Sequence, residues 1–309
     1  MREVVVVAGA LLVALGLGCG GGSNNGGSAA GAAGSGGQTV KGTLTNGVIS
    51  VPVAVDGVAA MPFVVDTGAP LTLVDPNRFP SSGINLGAGQ MTTLDVGGLH
   101  LTNVEVIGAS PCGVMMCSDG EPAGLLGGDV LIDFVVTIDY SPATVGFNVA
   151  APAPADGVTA TTTTFALQGG GSVAIPGTTN SVTVPATRIA LDVTIEGTSH
   201  PFVLDTGSSQ MVLRPTLYDS LVADGRPQGT TNVSTVSGTT AQPTTHLRTV
   251  DVAGATQTNV AAVRSPLNLD TLSAEVGHNV DGLLGGSYLS HYVTTIDYAA
   301  QRLTLVPGS

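Results

Sequence analysis

Pro62-Phe63-Val64-Val65-Asp66-Thr67-Gly68 returns 139 residues later as Pro201-Phe202-Val203-Leu204-Asp205-Thr206-Gly207. Two further stretches return in the same order. Gly124-Leu125-Leu126-Gly127-Gly128 recurs as Gly282-Leu283-Leu284-Gly285-Gly286, and Thr137-Ile138-Asp139-Tyr140 as Thr295-Ile296-Asp297-Tyr298, both at a spacing of 158. The second half thus carries an insertion of 19 residues, and three motifs kept in order read as two copies of one unit. The units are placed at residues 38–150 and 185–309. Residues 151–184 between them open on Ala151-Pro152-Ala153-Pro154 and read as a linker or an added hairpin.

Within each unit the apolar residues alternate or run in short blocks, as in Ile49, Val51, Val53 and Val55, or Leu303 and Leu305. That is strand periodicity. Composition agrees: 44 Gly and 18 Pro lie between runs rich in Val and Thr, while Lys41 is the only lysine. The expected fold class is all-β, with one short helix per unit after each Leu-Leu-Gly-Gly, at residues 129–134 and 287–292. Asp129 and Ser287 are read as acceptors for the first-turn N–H groups of those helices. With 9 Lys plus Arg against 22 Asp plus Glu and a net charge of −13, the chain lacks the clustered cations that a phosphate backbone requires. Nucleic acid is excluded as a partner.

The amino terminus reads as targeting sequence. A charged start is followed by an apolar run from Val4 to Leu17, too short for a comfortable membrane span of about 20 residues. Leu15-Gly16-Leu17-Gly18-Cys19 resembles a bacterial lipobox, which implies lipidation of Cys19, with Gly16 where that motif prefers leucine. Residues 1–19 are therefore an export signal and 20–37, with nine glycines, a flexible tether. The expectation is an exported, lipid-anchored cell-envelope protein, or a secreted one if the signal is simply cleaved. Cys112 and Cys117 then remain as an even pair, a loop-pinning disulfide or half of a metal site that would need two more ligands.

A lone Asp-Thr-Gly at a strand end is usually a turn. Two in matched units can meet at a pseudo-twofold axis, where carboxylates about 3 Å apart cannot both ionise cheaply and share one proton. One member then serves as general base and the other as general acid, which suits attack of water on an amide. The glycine leaves room for both loops to meet, and the threonine hydroxyl can bond across to the opposite loop.

These motifs resemble the retroviral-type aspartic peptidases, in particular bacterial exported members with two fused copies in one chain. The resemblance covers most of residues 48–149 and 188–306. It implies a closed β-barrel-like unit per half, Asp66 and Asp205 as catalytic dyad, Thr67 and Thr206 as interlocking threonines, and Gly68 and Gly207 as turn glycines. It also implies a Gly-Leu-Leu-Gly segment beneath each loop, an extended polypeptide as substrate, no cofactor, and a monomer sufficient for activity. The stretches Leu86–Val96 and Gly229–Gln242 are candidate flaps or plain surface hairpins.

The two loops differ at the next residue, Ala69 against Ser208. A Ser208 hydroxyl bonded to its carboxylate would favour the charged form, so Asp205 is expected to ionise first and Asp66 to hold the proton. The five histidines show no metal-ligand spacing, no Lys-Ser or Lys-Thr follows Gly-Leu-Leu-Gly-Gly, and Gly-x-Ser-x-Gly is absent. Metal, nucleotide and serine-hydrolase readings are set aside. Asp139 and Asp297 read as structural. The expected function is an aspartic endopeptidase; the alternatives are a catalytically silent peptide binder of the same fold and a structural envelope module.

Overall fold

The computed structural model describes residues 4–6, 31–32, 37–87, 89–110, 122–174, 181–235 and 238–308. Cys19, Cys112, Cys117 and most of the tether lie outside the described residues.

Strand β1 (Gln38–Lys41) precedes a ring of six strands: β2 (Val48–Val55), β3 (Val58–Val65), β4 (Thr72–Val74), β5 (Gly89–Val96), β6 (Leu99–Gly108) and β7 (Gly124–Leu126). Pairing runs β2–β3–β7–β4–β6–β5 and closes from β5 onto β2. Helix α1 (Gly128–Leu131) and strands β8 (Val135–Asp139) and β9 (Thr144–Phe147) complete the half.

After β10 (Thr161–Thr164), the second half builds the same ring from β11 (Arg188–Ile195), β12 (Thr198–Leu204), β13 (Met211–Leu213), β15 (Gly238–Val252), β16 (Ala255–Arg264) and β17 (Gly282–Leu284). The order β11–β12–β17–β13–β16–β15 closes from β15 onto β11, strand for strand as in the first half. It also carries α2 (Pro215–Val222), β14 (Gln228–Thr235) and α3 (Leu269–Val276). Helix α4 (Gly286–Leu289), β18 (Tyr292–Asp297) and β19 (Arg302–Pro307) end the chain. The fold is mostly β, with two closed barrel units, as the alternation of apolar residues led one to expect.

The local chemistry accounts for these elements. In β2, Val48, Ile49, Val51, Val53 and Val55 are buried, β-branched and close to alternating, the pattern of a pleated strand with one face in a core. Strands β7 and β17 are buried at all three positions, because each lies in the middle of its ring with packing on both faces. Helices α2 and α3 carry ordinary boundary signals: Pro215 in the first turn of α2, and an Asn268 cap and left-handed Gly277 bracketing α3.

The halves are joined by a six-stranded sheet in the order β10–β19–β18–β8–β9–β1. At its centre β8 and β18 run antiparallel, with Thr137 opposite Thr295. Those residues occupy matching places in the repeated motif, so the pseudo-twofold axis passes between them, and their hydroxyls lie 2.9 Å apart. One large apolar cluster extends from Val40 in the first half to Leu305 in the second.

The short helices begin one residue earlier than the sequence suggested and neither has a side-chain cap. Asp129 does accept one first-turn N–H, that of Val130, and also binds the neighbouring strand, whereas Ser287 serves the neighbouring strands instead. Asp129 accepts the Thr72 N–H at 3.0 Å and the Thr72 hydroxyl at 2.7 Å, with the Val130 N–H at 2.9 Å. Ser287 accepts the Met211 N–H at 2.9 Å and donates to the Ala261 carbonyl at 2.7 Å.

Candidate active site

Strands β3 and β12 deliver Asp66 and Asp205 to the axis. Each strand is held in parallel register by its Gly-Leu-Leu segment, Val64 against Leu125 and Val203 against Leu283. The ladder continues one step further, since the Asp66 N–H donates to the Leu126 carbonyl and the Asp205 N–H to the Leu284 carbonyl, both at 3.0 Å. Each segment therefore runs beneath its loop.

The loops then bind each other. The Thr67 N–H donates to the Thr206 hydroxyl and the Thr206 N–H to the Thr67 hydroxyl, both at 3.1 Å. Each hydroxyl in turn donates across the axis, Thr67 to the Leu204 carbonyl at 2.9 Å and Thr206 to the Val65 carbonyl at 2.7 Å. Every polar atom in this buried cross-brace is satisfied, which a low-dielectric setting demands.

The glycines are required by close approach. A Cβ on Gly68 would sit 2.7 Å from the Asp205 carboxyl carbon, and one on Gly207 would sit 2.5 Å from that of Asp66. Each loop's glycine thus packs on the other loop's carboxylate, and the two acids face each other. Residues 191–288 match the family model described as Aspartyl protease. The matched span contains Asp205-Thr206-Gly207 and Gly282 to Gly286, but not the first-half loop. Comparison with curated proteins gives no match.

Both aspartates are fully buried. Asp66 Oδ1 accepts two amides, Gly68 N–H at 2.9 Å and Ala69 N–H at 3.0 Å. Asp205 Oδ1 accepts the Gly207 N–H at 3.0 Å, while the Ser208 N–H is directed to the Asp205 carbonyl at 3.2 Å. The Oδ2 atoms are buried and receive no donor from the rest of the described chain, so a proton between the two carboxyls is the bond that would satisfy both. Burial pushes Asp66 up to about 6 against the pull of its two amides, the Asp205 hydrogen bond and the Arg188 cation. Asp205 lies well above the ordinary carboxylate range, through burial and then the Asp66 charge. The two amides and the Arg188 cation favour the charged form of Asp66.

The contact expected of Ser208, a hydroxyl bonded to the Asp205 carboxylate, is not made. The Ser208 hydroxyl donates to the Gln210 carbonyl at 2.8 Å. Each loop still offers a backbone amide at this position, that of Ala69 to Asp66 and that of Ser208 beside Asp205.

The remaining sequence candidates divide. Asp139 and Asp297 cap turns, accepting the Ser141 N–H at 3.0 Å and the Ala300 N–H at 2.9 Å, the structural role expected of them. Strands β14 and β15 form a hairpin through Gly229–Gln242, whereas Leu86–Val96 leads into ring strand β5, which turns directly into β6. A cavity of about 680 Å³ lies by the hairpin, lined by Gln210, Thr230, Asn232, Thr244 and His246 among others.

Three buried residues near the dyad went unsingled in the sequence. Tyr140 and Tyr298 sit in the field of Asp205 and Asp66 respectively, and burial raises both phenols, which stay neutral. Their repetition in the Thr-Ile-Asp-Tyr motif was the available signal. Arg188 is the third, and no repeat marks it.

Proposed function

We propose that this chain is an aspartic endopeptidase in which Asp66 and Asp205 share one proton and activate a water molecule. The observation that carries the reading is the crossed loop pair, which holds two buried carboxyls face to face and leaves an unpartnered oxygen on each. Asp66, ionised, takes a proton from water; Asp205, protonated, donates to the carbonyl oxygen of the scissile amide. The resulting gem-diol collapses as Asp66 passes its new proton to the nitrogen, the C–N bond breaks, and one hydroxyl returns a proton to Asp205, which restores the dyad. Water is the nucleophile. The family match over the second half supports the reaction class, and the same loop geometry at Asp66 supports extending it to the first half.

The two matched rings support an origin in two fused copies of one unit, so that one chain carries a whole dyad. The substrate is a polypeptide lying extended between the halves, one side chain reaching the polar cavity beside Gln210. The apolar run and Cys19 support export with a lipid anchor, and no helix among the described residues is long and apolar enough to cross a membrane.

The test is cleavage of a mixed peptide library across acid to neutral pH by the wild type, Asp66→Asn and Asp205→Asn. Each substitution is expected to lower turnover by about 10³- to 10⁴-fold while the protein stays folded. The rate should rise with pH through about 6, where Asp66 ionises, and fall where Asp205 gives up its proton. A folded wild type that retains peptides and cuts none would overturn the proposal in favour of a binding protein.

A further inference from the structure

Arg188 opens strand β11 and is 2% exposed. A buried guanidinium is costly unless its charge is matched. Its Nη1 lies 3.0 Å from Oε2 of Glu275 on helix α3. Its Nε donates to the Gly68 carbonyl at 3.4 Å, crossing from the second half to the first-half loop. The peptide unit carrying that carbonyl also carries the Ala69 N–H, which donates to Asp66 Oδ1. Guanidinium, peptide unit and carboxylate thus form one chain of hydrogen bonds, each polarising the next.

The first half has no such group. Arg188 stands two residues before Ala190, which pairs with Val203, and Val203 stands two before Asp205. By the same count Val48 stands two before Ser50, whose partner Val64 is two before Asp66. Val48 is apolar and buried. One loop has a cation behind it and the other a valine.

We infer that Arg188 is a positioning residue that fixes the direction of proton sharing in the dyad, orienting the Gly68–Ala69 peptide so that Asp66 is the ionised partner, with Glu275 holding it in place. The inference rests on the peptidase reading for its kinetic consequence but not for its geometry. The charged and titratable groups around it are few. Asp66 is influenced by Arg188, Asp205 and Tyr298; Asp205 by Asp66, Arg188 and Tyr140; Arg188 by Glu275 and both aspartates. Burial raises Glu275 against the pull of Arg188, and burial lowers Arg188, which stays cationic.

The experiment is the pH profile of kcat/KM for the full chain and for Arg188→Met with Glu275→Gln, a neutral pair of similar volume that leaves no orphan charge. Removing the cation should raise the Asp66 pKa, so the acid limb moves up by about one pH unit. Glu275→Gln alone should move it down, because the cation then acts on Asp66 without its counter-ion, and Arg188→Lys should restore part of the wild-type position. A purely structural salt bridge would change stability and leave the limb in place. A folded double variant with an unmoved limb overturns the inference; if that variant does not fold, Glu275→Gln decides, an unmoved limb again being the overturning result. Should the wild type cut no peptide, the peptidase reading fails, and the Asp66 carboxyl titration followed by carbon-13 NMR still tests the inference through the same upward shift.

Discussion

Val64, Leu125 and Leu73 form a row across three paired strands of the first ring, and Val203, Leu283 and Val212 form the matching row of the second. The two rows are covered differently. Over the first lie Val182 and Val184, from a hairpin built by Gly171–Ala174 and Ser181–Val184. Over the second lie Leu269, Leu272 and Val276 of helix α3. The ring demands an apolar lid and is indifferent to its backbone form, because burial of apolar area is non-directional. The loops at the axis have no such freedom, since hydrogen bonds and close approach fix every atom there. Covers can diverge where crossed loops cannot, and one divergent cover has brought Glu275 to Arg188.

Four sets of substitutions would break or sharpen that contrast. The largest effect belongs to the loops: Gly68→Ala and Gly207→Ala each force a methyl onto the opposite carboxylate and should cost about 3 kcal/mol or more in urea unfolding. Either one tolerated without loss would mean that the loops have slack. Next come the lids. Leu272→Ala under α3 should cost about 2–4 kcal/mol, and Val182→Ala in the hairpin less, with midpoints shifting at constant m-value. A loss for Val182 equal to that for Leu272 would make the hairpin the more demanding lid.

The third compares Asp129 with Ser287, which hold matching strands by different chemistry. Burial pushes Asp129 up to about 7, so the folded state binds its proton more tightly than the unfolded chain does. Its contribution is greatest below the unfolded-chain value of 3.8 and is lost as pH rises through about 7. Asp129→Asn should flatten the fall in stability over that window, measured by chemical unfolding at several pH values, whereas Ser287→Ala should lower stability equally at every pH. The smallest effect is that of Ser208→Ala, about 1 kcal/mol of stability with both limbs of the pH profile unmoved, since its hydroxyl binds the Gln210 carbonyl. A moved limb would restore the reading in which Ser208 tunes Asp205.

The residues legible in advance were those that the chain writes twice. Asp66, Thr67 and Gly68 with their counterparts, the Gly-Leu-Leu segments and the two short helices could all be read because repetition separates pattern from accident. Helices α2 and α3 are written once, yet Pro215, Asn268 and Gly277 carried ordinary start and stop signals that the strand pattern around them overshadowed. Arg188 and Glu275 were illegible for a physical reason: their meeting depends on how α3 lies over the second ring and how β11 crosses toward Gly68. Neither residue's neighbours in sequence register that contact. The contact expected of Ser208 failed similarly, because nearness along the chain does not say which acceptor a hydroxyl will take.

The pairing of β8 with β18 has a further consequence. Each half, severed from the other, would expose the backbone N–H and C=O row that this ladder now occupies, a raw edge of the kind that recruits any strand able to dock on it. The two edges are near copies around Thr137 and Thr295, so a freed half would find in a second molecule of itself almost the strand it had lost. Keeping both halves on one polypeptide sets the local concentration of the right edge far above that of any stranger, and the chain thereby guards itself against its own stickiness.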